Sequence, residues 1–145
     1  MHNNRNEWEG RVGKRSMDLL DDLFKLLPGN GKLFKLRYTS QYVALTESSG
    51  RPSWDPRQRP GYNWFAMFYP EQGGCVTLSV YTKDKAPRSD WKARLESSGL
   101  GPVTEKNGRK LTEIKLEFKV TPGNLEGNRE LLAALLSAAY ALSLT

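Results

Sequence analysis

Hydrophobic and polar positions alternate most clearly between residues 62 and 81. Tyr62 to Tyr69 is a strand-like run that is apolar on both faces, as expected of a central strand covered on both sides. In the run Cys75 to Tyr81, Val76, Leu78 and Val80 share one face, and Thr77, Ser79 and Tyr81 share the other. Pro70-Glu71-Gln72-Gly73-Gly74 lies between them, with glycines for a turn that needs positive φ, so the pair reads as a β-hairpin.

The rest of the chain divides in the same way. Met17, Leu19, Leu20, Leu23, Phe24, Leu26 and Leu27 form an apolar stripe at helical spacing, ended by Pro28-Gly29-Asn30-Gly31. Ser16 is the expected N-cap, with Asp18 in the first turn where the helix dipole favours an acid. Residues 1–15 are polar apart from Trp8 and Val12, and either extend this helix or form a loose arm. Residues 33–38 and 42–46 read as two strands around Thr39-Ser40-Gln41. Residues 47–61 are a long loop, because Pro52, Pro56 and Pro60 forbid a regular ladder. Ser89 caps a short helix over residues 90–98, with Trp91 and Leu95 inward and Gly99 as its stop. Asn107-Gly108 marks a tight turn inside 105–109.

Residues 111–120 alternate again. Ile114, Leu116, Phe118 and Val120 point one way, and Glu113, Lys115, Glu117 and Lys119 point the other, a solvated face by this pattern. Pro122-Gly123-Asn124 breaks the strand. Asn128 caps a last helix over 129–143, where alanines and leucines suit close packing on a sheet. The predicted fold is a single α+β domain over residues 1–145. Its mostly antiparallel sheet has about five strands, with the N- and C-terminal helices on one face. The predicted core is Trp64, Phe68, Leu78, Val80, Leu116, Phe118, Leu135 and Leu136.

Composition narrows the function classes. The 145 residues hold one cysteine, Cys75, inside a strand, so no internal disulfide framework exists. No signal peptide is legible in the polar start, and no run approaches the roughly 20 apolar residues of a membrane span. The expectation is a cytoplasmic protein without a membrane partner. The only histidine, His2, sits at a terminus expected to be floppy, which argues against histidine-dependent triads and multi-histidine metal sites. No glycine-rich phosphate loop joins a strand to a helix. Neither a cofactor nor a metal is expected.

The net charge is +6, with a pI near 9.5, which favours an acidic partner. Arg51, Arg57 and Arg59 share the long loop with Trp54, and Tyr62 follows. Arginine reaches phosphates, and an aromatic ring stacks on a base. Lys83, Lys85, Arg88, Lys92 and Arg94 form a second cluster, opposed only by Asp84 and Asp90. Glu113-Ile114-Lys115 matches the Glu-x-Lys of restriction-type nucleases, where a carboxylate holds a metal and a lysine orients water. Such sites need a second carboxylate on a neighbouring strand, and Asp84 and Asp90 are the nearest upstream acids.

Four segments carry a family likeness: Tyr42-Val43-Ala44-Leu45, Asn63 to Pro70, Val76 to Val80, and Leu135-Leu136 with Ala139-Tyr140. Together they resemble the bacterial "predicted transport protein" domains that accompany nuclease or restriction modules. The same order of elements is similar to MmcQ/YjbR-like domains, which are thought to bind DNA. The likeness spans roughly residues 17–142, and the Arg/Pro loop at 48–61 departs from it. It implies a bacterial or phage accessory module beside nucleic-acid enzymes, not an enzyme. The leading expectation is therefore a non-enzymatic module that binds nucleic acid through Arg51, Trp54, Arg57, Arg59, Lys83, Lys85, Arg88, Lys92 and Arg94. The rivals are a regulatory factor that binds an acidic protein, and a metal-dependent nuclease using Glu113 and Lys115.

Overall fold

The computed structural model describes residues 3–47, 62–83, 90–107 and 113–144. Two helices open the chain, α1 (Arg5–Val12) and α2 (Lys14–Phe24), and a 3₁₀ turn at Pro28–Gly31 leads into the sheet. Strands β1 (Phe34–Tyr38), β2 (Val43–Glu47), β3 (Tyr62–Glu71) and β4 (Cys75–Lys83) follow, then α3 (Asp90–Ser97), β5 (Thr104–Asn107) and β6 (Glu113–Val120). Short α4 (Pro122–Leu125) and long α5 (Arg129–Ser143) close the fold. All six strands form one antiparallel sheet in the order β1-β2-β3-β4-β6-β5.

The α+β class and the antiparallel sheet match the sequence pattern, with six strands rather than five. The extra one is β5, whose Thr-Glu-Lys-Asn has no apolar face to announce it. It becomes a strand by pairing, Thr104↔Glu117 through Asn107↔Ile114 along β6, and its polar residues suit an outer strand. The forecast hairpin is β3–β4, with Gly73 and Gly74 at φ +93° and +76°. As its two apolar faces require, β3 is an inner strand.

Helices α2 and α5 both pack on β3 and β4. They cover the sheet face that carries Val76, Leu78 and Val80 of β4 and Leu116, Phe118 and Val120 of β6. Seven of the eight forecast core residues are buried, and the side chain of Trp64 lies outside what is described. Between Val43↔Phe68 and Leu45↔Asn63 the ladder shifts register, which bulges β3. Beside this bulge the Phe65 ring meets both Phe34 and Tyr140, at 5.6 and 5.4 Å between centroids.

The start of the chain differs from the forecast. Residues 5–12 form a helix of their own, capped by the Asn4 side chain, which accepts from the Glu7 amide at 2.9 Å. Gly13, at φ +95°, separates it from α2. Ser16 is therefore not a cap but lies inside α2, fully buried. Its hydroxyl donates to the Glu71 carbonyl and accepts from the Gly74 amide at 3.1 Å, which ties α2 to the β3–β4 turn. A cap signal and a buried cross-link use the same residue type, since both rest on a short hydroxyl reaching backbone groups. Asn128 does precede α5, but its side chain makes no cap bond and instead donates to the Ser98 and Asn124 carbonyls. Among the described residues no helix is long and apolar enough to cross a membrane.

Candidate functional site

Topology brings several chain segments to one end of the sheet. Strand β2 runs toward Glu47, and β3 returns from Tyr62. Strand β4 runs toward Lys83, opposite Glu113 at the start of β6, and Asn107 at the end of β5 stands opposite Ile114. In this antiparallel order Glu47, Tyr62, Lys83, Asn107 and Glu113 therefore share one end.

Of the nine residues the sequence singles out, Arg51, Trp54, Arg57, Arg59, Lys85 and Arg88 lie outside the described residues, as does the side chain of Lys83. Lys92 and Arg94 are described, on α3. The Arg94 guanidinium lies over the Trp91 ring, 4.3 Å from its centroid. That stack holds the planar cation on an aromatic face rather than leaving it to wave in solvent.

The Glu113–Lys119 face is not the solvated ladder its alternation implies. Glu113 is only 4% exposed, and beside it on the same sheet face Tyr81, Ser79, Met67 and Ala44 are buried. The overlooked signal is β3 itself. A strand apolar on both faces is buried on both, so cover over β3 extends to its neighbours. Lys115 does not turn to Glu113 as a nuclease motif would have it. Its ammonium lies 3.3 Å from Glu117, whose other oxygen accepts from Lys106 at 3.0 Å. Farther along, Glu71 accepts from Thr77 and pairs with Lys119 at 3.6 Å. Asp84 lies outside the described residues. Asp90 opens α3, and its side chain is likewise not described. Cys75 is a buried strand residue whose thiol donates to the Gln72 carbonyl at 3.6 Å.

Glu117 is the most perturbed carboxylate on this face. Burial raises its pKa, but hydrogen bonds and charge from Lys106 and Lys115 outweigh that and leave it below the ordinary glutamate value. Nearby, burial pushes the Tyr69 phenol up, aided by the Glu117 charge. A lowered carboxylate stabilises the fold above its unfolded pKa, about 4.3, and that contribution is lost as pH falls through the folded value. The Glu117→Gln variant should therefore be less stable than wild type at pH 7, by about 0.5–1 kcal/mol for a pair of this exposure. The gap should close in acid. Urea midpoints at neutral pH and near pH 3 check this, and a gap that widens in acid would contradict it.

A cleft of about 440 Å³ lies at the other end of this face, between α1 and the sheet, lined by Trp8, Arg11, Gln41, Tyr69, Glu71 and Glu117 among others. A second, of about 520 Å³, runs between α2 and β1. Among the described residues no three metal-binding side chains come together. The four segments with a family likeness fall in β2, β3, β4 and α5. Comparison with known proteins finds no matching family model, no matching curated protein and no matching solved structure.

Proposed function

We propose that this protein is a small, non-enzymatic cytoplasmic module that engages nucleic acid through its phosphates at the end of the sheet where Glu47, Tyr62, Lys83, Asn107 and Glu113 lie. Charge segregation supports the reading. Residues 48–61 and 108–112 run between these anchors, and residues 84–89 leave from one of them, Lys83, toward α3. They hold seven of the 22 basic residues and two of the 16 acidic ones, Asp55 and Asp84. The other 15 and 14 nearly cancel, so five of the six net positive charges belong to three connections anchored at one end. Concentrated positive charge attracts a polyanion by releasing its counterions. Lys92 and the stacked Arg94–Trp91 pair follow directly on α3. A binding role rather than catalysis is supported by the burial of Glu113 and the pairing of Lys115 with Glu117.

The test is binding to single- and double-stranded DNA and RNA at two salt concentrations. Wild type should bind more weakly as salt rises. Replacing Arg57 and Arg59 should reduce the salt slope by about 1 for each phosphate that is no longer neutralised, without changing sequence preference. Trp54→Ala should cost about 1–3 kcal/mol on single strands and little on duplex, because only unpaired bases offer a stacking face. Absence of salt-dependent binding at low ionic strength overturns the reading and leaves an acidic protein as the partner. So would magnesium-dependent DNA cleavage that Glu113→Gln abolishes.

A further inference from the structure

Strand β1 is an outer strand of the sheet. All five of its residues pair with β2, from Phe34↔Glu47 to Tyr38↔Val43. Among the described residues its other edge has no strand neighbour, and such an edge is a template for one more strand. Against this strand lies the 520 Å³ cleft, with Phe24, Phe34, Leu36 and Tyr38 in its lining and Lys25 and Lys35 at its lips. Asp21 also lines it, but both its oxygens accept from Arg5 at 2.7 Å. Just before the strand, Leu33 is 43% exposed, one of two large apolar side chains left exposed among the described residues. Lys25, Lys32 and Lys35 are exposed around it.

We propose that the free edge of β1 and the α2–β1 cleft together receive an extended peptide of a partner protein, one that alternates apolar and acidic residues and joins the sheet as an added strand. Backbone hydrogen bonds to the β1 edge supply the geometry. Side chains of an added strand alternate between faces, so one set enters the apolar cleft and the other emerges on the face of Lys35. Acidic residues in that second set meet the lysine directly. The same charge disfavours a second copy of this chain as the occupant. Antiparallel self-pairing centred on Leu36 sets Lys35 of each copy opposite Arg37 of the other, a like-charge juxtaposition at both ends. Peptide capture at the β1 edge does not require that the charged connections bind nucleic acid.

The probe is a capped synthetic peptide, acetyl-Leu-Glu-Val-Glu-Leu-Glu-Thr-amide, titrated into isotope-labelled full chain up to ~1 mM, a range that captures weak affinities. Amide shifts are expected to concentrate in residues 33–38 and 21–25. A version with lysine for glutamate should bind about tenfold more weakly, as several reversed cross-strand pairs imply. Methylating alternate backbone nitrogens on the edge facing β1 should abolish binding. Lys35→Glu, at an exposed position the fold tolerates, should reverse the preference toward the lysine peptide, an outcome that misfolding cannot mimic. Shifts confined elsewhere, indifference to backbone methylation, or no binding across the titration overturns the proposal. So does sedimentation of a dimer whose interface includes β1, or an oligonucleotide that produces the same shifts at 33–38.

Discussion

Phe118→Ala should destabilise the protein by about 3–5 kcal/mol, the range for truncating a buried phenylalanine. Phe118 is 2% exposed on β6, stands opposite Leu78 of β4, and lies between Leu116 and Val120 on the face under α2 and α5. Its ring belongs to the close-packed core, so truncation leaves a cavity that the neighbours fill only in part. A domain of this kind has roughly 5–15 kcal/mol in total, so the loss is about a fifth of it or more. The thermal midpoint should fall by roughly 10–15 °C. The urea midpoint should fall with an unchanged slope, since the same surface is exposed on unfolding. Lys119→Ala, one residue on and facing the other way, should stay within about 0.5 kcal/mol. Equal effects at the two positions would mean that the register of β6 is wrong.

Trp8→Ala should have a comparably large effect, about 3–5 kcal/mol, and it should be local in character. Helix α1 has eight residues, and Trp8 is the buried one among them. Helices this short do not persist alone in water. Docking therefore holds α1 in place. The Trp8 indole N–H donates to the Thr39 carbonyl at 2.9 Å, and Arg11 lies over the ring at 4.2 Å. The Arg5–Asp21 pair and a Gln72 bond to the Arg11 carbonyl at 3.1 Å add to it. In the alanine variant, amide-exchange protection should vanish over residues 5–12 while the sheet keeps its own. Trp8→Phe should keep most of the packing and cost about 1 kcal/mol for the missing hydrogen bond. Unchanged protection over 5–12 in Trp8→Ala would show that the helix is held by something else.

The elements legible in the chain were those that repeat within a short window. The α2 stripe, the alternation of β4 and β6 and the alanine–leucine pattern of α5 each recur over three or more positions. Helix α1 was not legible as a separate element, because its one buried residue makes no pattern and its break depends on a single glycine. Strand β5 was invisible for a related reason: four polar residues acquire strand geometry only from the β6 backbone beside them. For the candidate site, the basic residues could be named from composition. Lys92 and Arg94 are the two whose side chains the structure describes, and the stacking of Arg94 on Trp91 was not among the expectations.

Sequence alone determined the longer helices and strands with a repeating apolar face, and hence an α+β domain with α2 and α5 on one face of an antiparallel sheet. Periodicity is a local property, and burying an apolar face dominates the free energy of each element. Tertiary structure alone decided where polar residues go. It placed Ser16 in the interior as a cross-link, buried Glu113 on a face that reads as solvated, and gave Lys115 to Glu117. It also set the strand order that makes β1 the outermost of the described strands on its side and brings the starts of three charged connections to one end. A polar side chain has the same local signature whether it meets water or a buried partner, and strand order depends on pairing between residues far apart in the chain. Neither leaves a periodic trace in the sequence.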